Sequence, residues 1–284
     1  MILKSIRKQH PAQRDDIGDL VTRRPLPGPG LDQVDPYLFL NHHGPQVYPP
    51  GNRGLPFGPH PHRGFETVTF ILEGELMHQD TGGHESVIRA GGVQWMTAGR
   101  GLVHAELSPD EFKRQGGPLE ILQLWVNLPS HLKMTEPRYI GLQRDDIPHV
   151  STFDRLGRVN VIAGQWGGAR GPVESLLGHF MSTVELEPGG RVVFTDVLTR
   201  SVFLYVVRGT ISIDGEEARE HHLVELSPHG DAVEIVARTA AVLLFGHAPA
   251  IGEPVVSYGP FVMNTADEIR QAIADYQAGR FGAF

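Results

Sequence analysis

Short apolar, β-branched runs separated by glycine-rich turns recur along most of the chain. Residues 66–72 read ETVTFIL, and similar runs follow at 76–80 and 85–89 on either side of a Thr-Gly-Gly turn. Turns that interrupt alternating strands at intervals of roughly eight to twelve residues are typical of β-sandwiches and barrels. The pattern therefore predicts an all-β fold.

The strand pattern of the first half returns in the second half. Residues 203–215 (FLYVVRGTISIDG) repeat the order of strand, glycine, strand and turn found around Gly74, and Gly209 occupies the equivalent position. Repetition over this length indicates that a structural module has been duplicated. We therefore predict two related β-domains, one in residues 1–145 and the other in residues 146–284.

One helix is predicted near the C-terminal end, at about residues 265–279. Thr265 followed by Glu268 has the spacing of a capping box, in which each side chain accepts a hydrogen bond from the other residue's backbone. The apolar positions after this cap share one helical face: Ile269, Ala272, Ile273 and Tyr276.

Composition and charge narrow the class of protein. Hydrophobic residues make up 40% of the 284 residues, as in a globular chain, and the formal net charge of −8 argues against electrostatic binding to nucleic acid or anionic membranes. No apolar run approaches the ~18 residues that a spanning helix needs. The first residues carry charges where a secretion signal has its apolar core. We therefore expect a cytoplasmic protein with no nucleic-acid or membrane partner.

Two pairs of residues carry the candidate chemistry: His60 with His62, and His104 with Glu106. In an extended strand, side chains two positions apart point the same way, so two facing strands would gather three imidazoles and a carboxylate. Such ligands suit divalent iron, zinc, copper, nickel or manganese. Glu66 shares the strand parity of His62 and is expected beside the metal rather than on it.

The predicted site has two interpretations. Four protein ligands leave about two octahedral positions for a substrate or dioxygen, as in a catalytic metal site. A structural ion that holds the barrel together is the alternative. The chain contains no cysteine, which excludes disulfides, thiolate metal sites and thiol catalysis.

Four segments resemble the pirin family of bicupins: residues 59–68 (PHPHRGFETV), 94–101 (QWMTAGRG), 103–106 (VHAE) and 258–265 (YGPFVMNT). The resemblance extends over nearly the whole chain. It implies two stacked cupin barrels, which are double-stranded β-helices of the jelly-roll type, with one metal in the N-terminal barrel. The metal ligands that it implies are His60, His62, His104 and Glu106.

The resemblance also implies a function. Bacterial pirin-like proteins are associated with quercetin 2,3-dioxygenase activity, so we expect an oxidoreductase that cleaves a flavonol such as quercetin with dioxygen. Fe(II) is the expected metal, with zinc, nickel, copper and manganese left open, and Glu106 is the expected ligand and catalytic base. Animal pirins are described as iron-containing nuclear co-regulators of transcription. The alternative is therefore a non-enzymatic, iron- and redox-sensing protein with a protein partner.

The second half lacks a matching ligand set. At the offset between Gly74 and Gly209, His60 and His62 map to Thr195 and Val197, and the other two predicted ligands map near Thr239 and Ala241 if a slip is allowed. We therefore expect the C-terminal barrel to bind no metal. Among the other histidines, His78 and His84 flank a hairpin tip and are expected to be solvated. His42 is expected at the surface, whereas the segment that holds His42 and His43 approaches the metal pocket in the family.

Replacement of His62 or Glu106 by alanine is expected to abolish metal binding and turnover, because each variant removes one ligand. The C-terminal barrel should stay folded in both variants. Metal analysis of the purified variants, with circular dichroism as the folding control, checks this expectation. Retained activity in both variants would contradict the ligand assignment.

Overall fold

The computed structural model describes residues 1–283 and consists mainly of β-strands, as the sequence predicts. The strands of the first half are β1 (Ile6–Pro11), β2 (Gln13–Arg14), β3 (Thr22–Leu26), β4 (Tyr37–Tyr48), β5 (Phe57–His62), β6 (Phe65–Glu73), β7 (Glu75–Asp80), β8 (Glu85–Arg89), β9 (Val93–Thr97), β10 (Leu102–Leu107), β11 (Gly117–Asn127) and β12 (Arg138–Leu142). A short helix, α1 (Asp110–Gln115), interrupts them, and 3-10 turns lie at Ser130–Leu132 and Arg144–Asp146.

The second half continues the same alternation of strands and turns. Its strands are β13 (His149–Ser151), β14 (Gly157–Ala163), β15 (Gln165–Trp166), β16 (Ala169–Arg170), β17 (Phe180–Leu186), β18 (Arg191–Thr195), β19 (Arg200–Arg208), β20 (Thr210–Ile213), β21 (Glu216–Arg219), β22 (His222–Leu226), β23 (Ala232–Ala237), β24 (Ala241–Pro249), β25 (Val256–Tyr258) and β26 (Phe261–Met263). Helix α2 (Ala266–Gln277) follows, capped by the box that Thr265 and Glu268 were predicted to form. Among the described residues, no helix has the length and apolar character needed to cross a membrane.

The chain forms two compact units, and neither is a contiguous half. The N-unit comprises Arg14–Arg23, Tyr37–Asp145 and the C-terminal segment from Ile251 onward. The C-unit comprises Met1–Gln13, Arg24–Pro36 and Asp146–Ala250.

This division differs from the predicted domains 1–145 and 146–284, because both ends of the chain pack in the other unit. At the N-terminus, β1 pairs with β22 of the C-unit, with Gln9 opposite Val224. At the C-terminus, Arg63 Nη1 donates a 2.8 Å hydrogen bond to Asp275 Oδ2 on α2 within the N-unit. These pairings join residues more than 200 positions apart, so the local strand pattern does not reveal them.

Each unit contains the same pair of sheets, which is the predicted duplication. In the N-unit, the four-stranded sheet β5-β10-β7-β8 accompanies a seven-stranded sheet ordered β12-β9-β6-β11-β4-β3-β2. In the C-unit, β18-β23-β20-β21 accompanies β1-β22-β19-β24-β17-β14-β13. Apolar side chains of both sheets pack together in the core of the N-unit, which includes Leu20, Tyr48, Ile71, Leu76, Ile88, Leu119 and Ile121.

A tight turn at Arg63 and Gly64 separates β5 from β6, so that β5 ends at His62. Gly64 adopts φ +89°, and its N–H donates to Gly99 O at 2.8 Å while its carbonyl accepts from Lys133 Nζ at 2.8 Å. A Cβ atom at this position would lie 2.0 Å from Val262 O. Only glycine fits here, because both the backbone conformation and the space exclude a side chain.

We expect Gly64→Ala to lower the free energy of unfolding by about 2 kcal/mol or more, because the methyl group meets a backbone oxygen in a left-handed backbone conformation. Gly58→Ala is the matched control, since nothing lies within 4 Å of a Cβ at that position. Urea unfolding of both variants measures the difference. Equal stability of the two variants would contradict the close approach at Gly64.

Candidate metal centre

Antiparallel pairing of β10 with β5 brings the predicted histidines together. His104 lies directly opposite His60, and His62 is opposite Leu102. One ring nitrogen from each of His60, His62 and His104 lies within 4.8 Å of the other two. The ring centroids are 4.4 Å apart for His60 and His104 and 5.0 Å apart for His62 and His104.

Hydrogen bonds leave nitrogens of this cluster available as ligands. Nδ1 of His60 lies 2.8 Å from Gly58 O, and Nδ1 of His62 lies 3.3 Å from Pro260 O. A backbone carbonyl at Nδ1 fixes the ring and leaves Nε2 as the ligand, as in many protein metal sites. His104 is fully buried, and neither of its ring nitrogens has a hydrogen-bond partner within the described residues.

Burial favours the neutral form of two of the imidazoles, His62 and His104. It lowers the pKa of His62 to about 3, with His60 as a second cause. Burial also places the pKa of His104 well below its ordinary value, assisted by His62, His60 and His78. Neutral imidazole is the form that binds a metal ion. Two unpartnered nitrogens on a buried ring are costly, and an ion at the centre of the three rings would satisfy one of them. The donor set therefore fits a divalent metal ion.

Glu106, the fourth predicted ligand, lies outside this group of three side chains. Its carboxylate is buried and accepts three hydrogen bonds. Thr69 Oγ1 and Gln94 Nε2 donate to Oε1 at 2.8 and 2.5 Å, and Gln123 Nε2 donates to Oε2 at 2.5 Å. The sequence patterns did not identify these three donors. Thr69 pairs with Gln94 and with Gln123 across β6, β9 and β11, so the three donors share one face of the seven-stranded sheet.

Glu66 is not beside His62 along one strand, because the turn at Gly64 places them on different strands. It is buried, and its Oε1 accepts a hydrogen bond from Thr97 Oγ1 at 2.7 Å. Burial raises the pKa of this carboxyl. The argument from shared strand parity was therefore wrong for Glu66.

The expectation that His42 is exposed was also wrong. His42 is fully buried, and its Nε2 lies 2.9 Å from Glu120 Oε1. His43 is buried as well, with Nδ1 2.8 Å from Thr22 Oγ1 and its ring 5.3 Å from the ring of Phe57. Both histidines lie on β4, which is covered on both faces, so the polar sequence of this segment was misleading.

The two histidines of the predicted hairpin tip have different environments. His84 is exposed over 46% of its side chain, as expected, whereas His78 is fully buried. Nε2 of His78 lies 2.9 Å from Asp80 Oδ2, and its ring stacks on Tyr139 at 4.0 Å. The ring of His78 also lies 5.5 Å from that of His104, next to the metal-capable cluster.

Aromatic side chains border the cluster on the side of His62. The His62 ring lies 5.0 Å from Phe65 and 5.3 Å from Trp125, and Phe39 lies 4.8 Å from Trp125. Phe39 and Trp125 face each other across β4 and β11. The cluster therefore has an apolar aromatic wall on one side.

In the C-unit, apolar residues occupy the positions that correspond to the ligands. With Gly74 aligned to Gly209, Met77 of the N-unit corresponds to Ser212 of the C-unit. Met77 pairs with Leu107, and Ser212 pairs with Val236, so Leu107 corresponds to Val236. Counting back along these strands, His104 and Glu106 correspond to Val233 and Ile235. Phe194, opposite Val233, takes the place of His60 and stacks on Phe245 at 3.8 Å.

The correspondence to Thr195, Val197, Thr239 and Ala241 drawn from a constant offset was thus out of register. The segment from Ser212 to Val236 is six residues shorter than the segment from Met77 to Leu107, which shifts the positions of His104 and Glu106. The position of His60 shifts by one residue, to Phe194.

Comparison with known proteins gives concordant results over both units. Residues 19–126 match the family model described as Pirin, and residues 181–282 match the model described as Pirin C-terminal cupin domain. The chain is 40% identical over 248 residues to a Pseudomonas aeruginosa protein named "Putative quercetin 2,3-dioxygenase PA2418", covering 87% of each chain. It is 37% identical to human "Pirin" over 279 residues, covering 95% of this chain and 90% of that protein.

Solved structures agree with the sequence relatives. The crystal structure described as quercetin 2,3-dioxygenase from Acinetobacter baumannii matches with a TM-score of 0.92 and 33% sequence identity, over 99% of both chains. Fold, sequence similarity and the positions of the matched domains all support one conclusion. The chain is a member of the pirin family, with two cupin domains.

Proposed function

We propose that this protein is a metal-dependent dioxygenase of the pirin type, which cleaves a flavonol such as quercetin with dioxygen. One observation carries the proposal. His60, His62 and His104 form a group of imidazoles with ligand nitrogens within 4.8 Å of one another, in a barrel whose relatives include proteins named for this activity.

His60, His62 and His104 would hold the metal ion together with Glu106, and Fe(II) is the ion we propose. Imidazole and carboxylate ligands suit it, and the chain has no thiolate to favour a softer ion. A bound divalent ion supplies Lewis acidity and a template that orients the substrate oxygens. The four side chains leave room in an octahedral shell for exogenous ligands.

Glu106 would act on the proton of the substrate's 3-hydroxyl group. Its Oε1 accepts two hydrogen bonds, whereas Oε2 accepts one, from Gln123. Each carboxylate oxygen has about two lone-pair sites, so Oε2 keeps one site for an ion or a proton. This one site serves either the ion or the proton, so Glu106 would act as the base only after its carboxylate leaves the ion.

The aromatic wall would bind the flat rings of the substrate. Phe65 and Trp125 lie beside His62, and apolar aromatic faces stack well on planar aromatic molecules. The same side chains exclude water from the reacting oxygens, which strengthens the electrostatic interactions between Glu106 and the substrate. The wall therefore supports a planar aromatic substrate.

The test is quercetin-dependent oxygen uptake by protein loaded anaerobically with ferrous iron. We expect uptake with carbon monoxide release from the iron-loaded protein only. Glu106→Gln should lower kcat by about 10²- to 10⁴-fold, the usual contribution of a general base. His84→Ala is the matched control, because this histidine is exposed and outside the cluster, and it should retain wild-type activity.

Two results would contradict the proposal. Equal uptake by the metal-free protein would show that the metal is not required. Iron bound at the three histidines with no uptake would exclude this activity and favour a metal-binding protein without dioxygenase chemistry.

A further inference from the structure

A line of four hydrogen-bonded side chains runs from Ser86 on β8 to Glu106 on β10. Ser86 Oγ lies 2.5 Å from the hydroxyl of Tyr139, and that hydroxyl donates to Gln94 Oε1 at 3.4 Å. Gln94 Nε2 then donates to Glu106 Oε1 at 2.5 Å. A tyrosine hydroxyl has one hydrogen, so its donation to Gln94 requires that Ser86 donate the hydrogen bond between Ser86 and Tyr139.

The orientation of the Gln94 amide determines whether it can donate a hydrogen bond to Glu106. In the observed orientation, both hydrogens of Nε2 are used, one on Glu106 Oε1 and one on Thr69 Oγ1 at 3.2 Å. The flipped amide would place its carbonyl oxygen against the carboxylate, and two acceptors at that distance repel. Tyr139 is a donor, so it can bond only to the carbonyl oxygen of the amide. It therefore favours the orientation in which Gln94 Nε2 donates to Glu106.

Tyr139 is itself fixed and protonated. Its ring stacks on the buried His78 with an interplanar angle of 11°, and the hydrogen bond from His78 Nε2 to Asp80 holds that ring in place. Burial raises the pKa of Tyr139 to about 12, which preserves the hydroxyl as a donor. A rigid donor of this kind costs little side-chain entropy when it orients the amide.

We propose that Tyr139 is a positioning residue for Glu106 and acts through Gln94. By fixing the amide, Tyr139 keeps Oε1 of Glu106 occupied by two donors and leaves Oε2 as the only oxygen with an open lone-pair site. Glu106 would therefore be a monodentate ligand that binds the metal through Oε2. This inference rests on the proposed function only in taking Glu106 as a ligand of the metal.

The test uses Co²⁺ as the probe in the absence of quercetin, because its visible absorption reports both affinity and coordination. Tyr139→Phe keeps the ring on His78 and removes the donor. We expect it to weaken Co²⁺ binding by about 10- to 100-fold, the usual effect of a partner that orients a metal ligand. The absorption spectrum of the bound ion should change as well. Tyr276→Phe, on the partly exposed face of α2, is the matched control and should bind Co²⁺ as the wild type does.

A double-mutant cycle separates positioning from a general structural effect. If Tyr139 acts through Gln94, then Tyr139→Phe should cause almost no further loss of affinity in a Gln94→Met background. Ser86→Ala, which leaves the Tyr139 hydroxyl in place, should cause a smaller loss in the same direction. This variant decides the matter if Tyr139→Phe fails to fold.

Additive losses in the cycle would overturn the proposal, as would unchanged affinity and spectrum in folded Tyr139→Phe. Failure of the wild type to bind Co²⁺ would overturn both this inference and the proposed function. Co²⁺ binding with the predicted cycle, together with no quercetin turnover after iron loading, would support the role of Tyr139 and reject only the dioxygenase activity.

Discussion

Pairing of β5 with β10 is the contact on which the candidate site depends, because it sets the half-buried His60 opposite the fully buried His104. Burial there is costly for imidazole nitrogens without partners, and His104 has two of them. Neighbouring residues of the N-unit fix the position of the cluster. Backbone carbonyls fix the other two rings, and the turn at Gly64 ends the strand directly after His62.

The two units differ at few interior positions of the cupin barrel, and these include the candidate metal ligands. Both have the same sheet order, yet the C-unit has Phe194, Val233 and Ile235 where the N-unit has His60, His104 and Glu106. These three residues belong to an apolar core, and their side chains offer no metal ligands. The N-unit, by contrast, surrounds Glu106 with amide and hydroxyl donors. The candidate site of this chain therefore differs from the corresponding apolar core at a few interior positions of the same fold.

Much of this organisation was predictable from the sequence, because strand alternation and turn chemistry are local. The His60–His62 spacing, the duplication around Gly74 and Gly209, and the cap at Thr265 all belong to short segments. The errors came from long-range packing. His42 and His78 are buried only because distant strands cover them, and β1 pairs with a strand of the second half. No local pattern indicates that Tyr139 contacts Gln94, since 45 positions separate them.

Anomalous diffraction from crystals of the protein grown with Fe²⁺ under anaerobic conditions would test the candidate metal centre directly. We expect one iron peak, enclosed by His60, His62 and His104 with Oε2 of Glu106 as a further ligand. We expect no peak beside Val233 and Ile235 of the C-unit. A well-ordered crystal with no peak at the three histidines, or with iron bound elsewhere, would contradict the assignment of this barrel as a metal site.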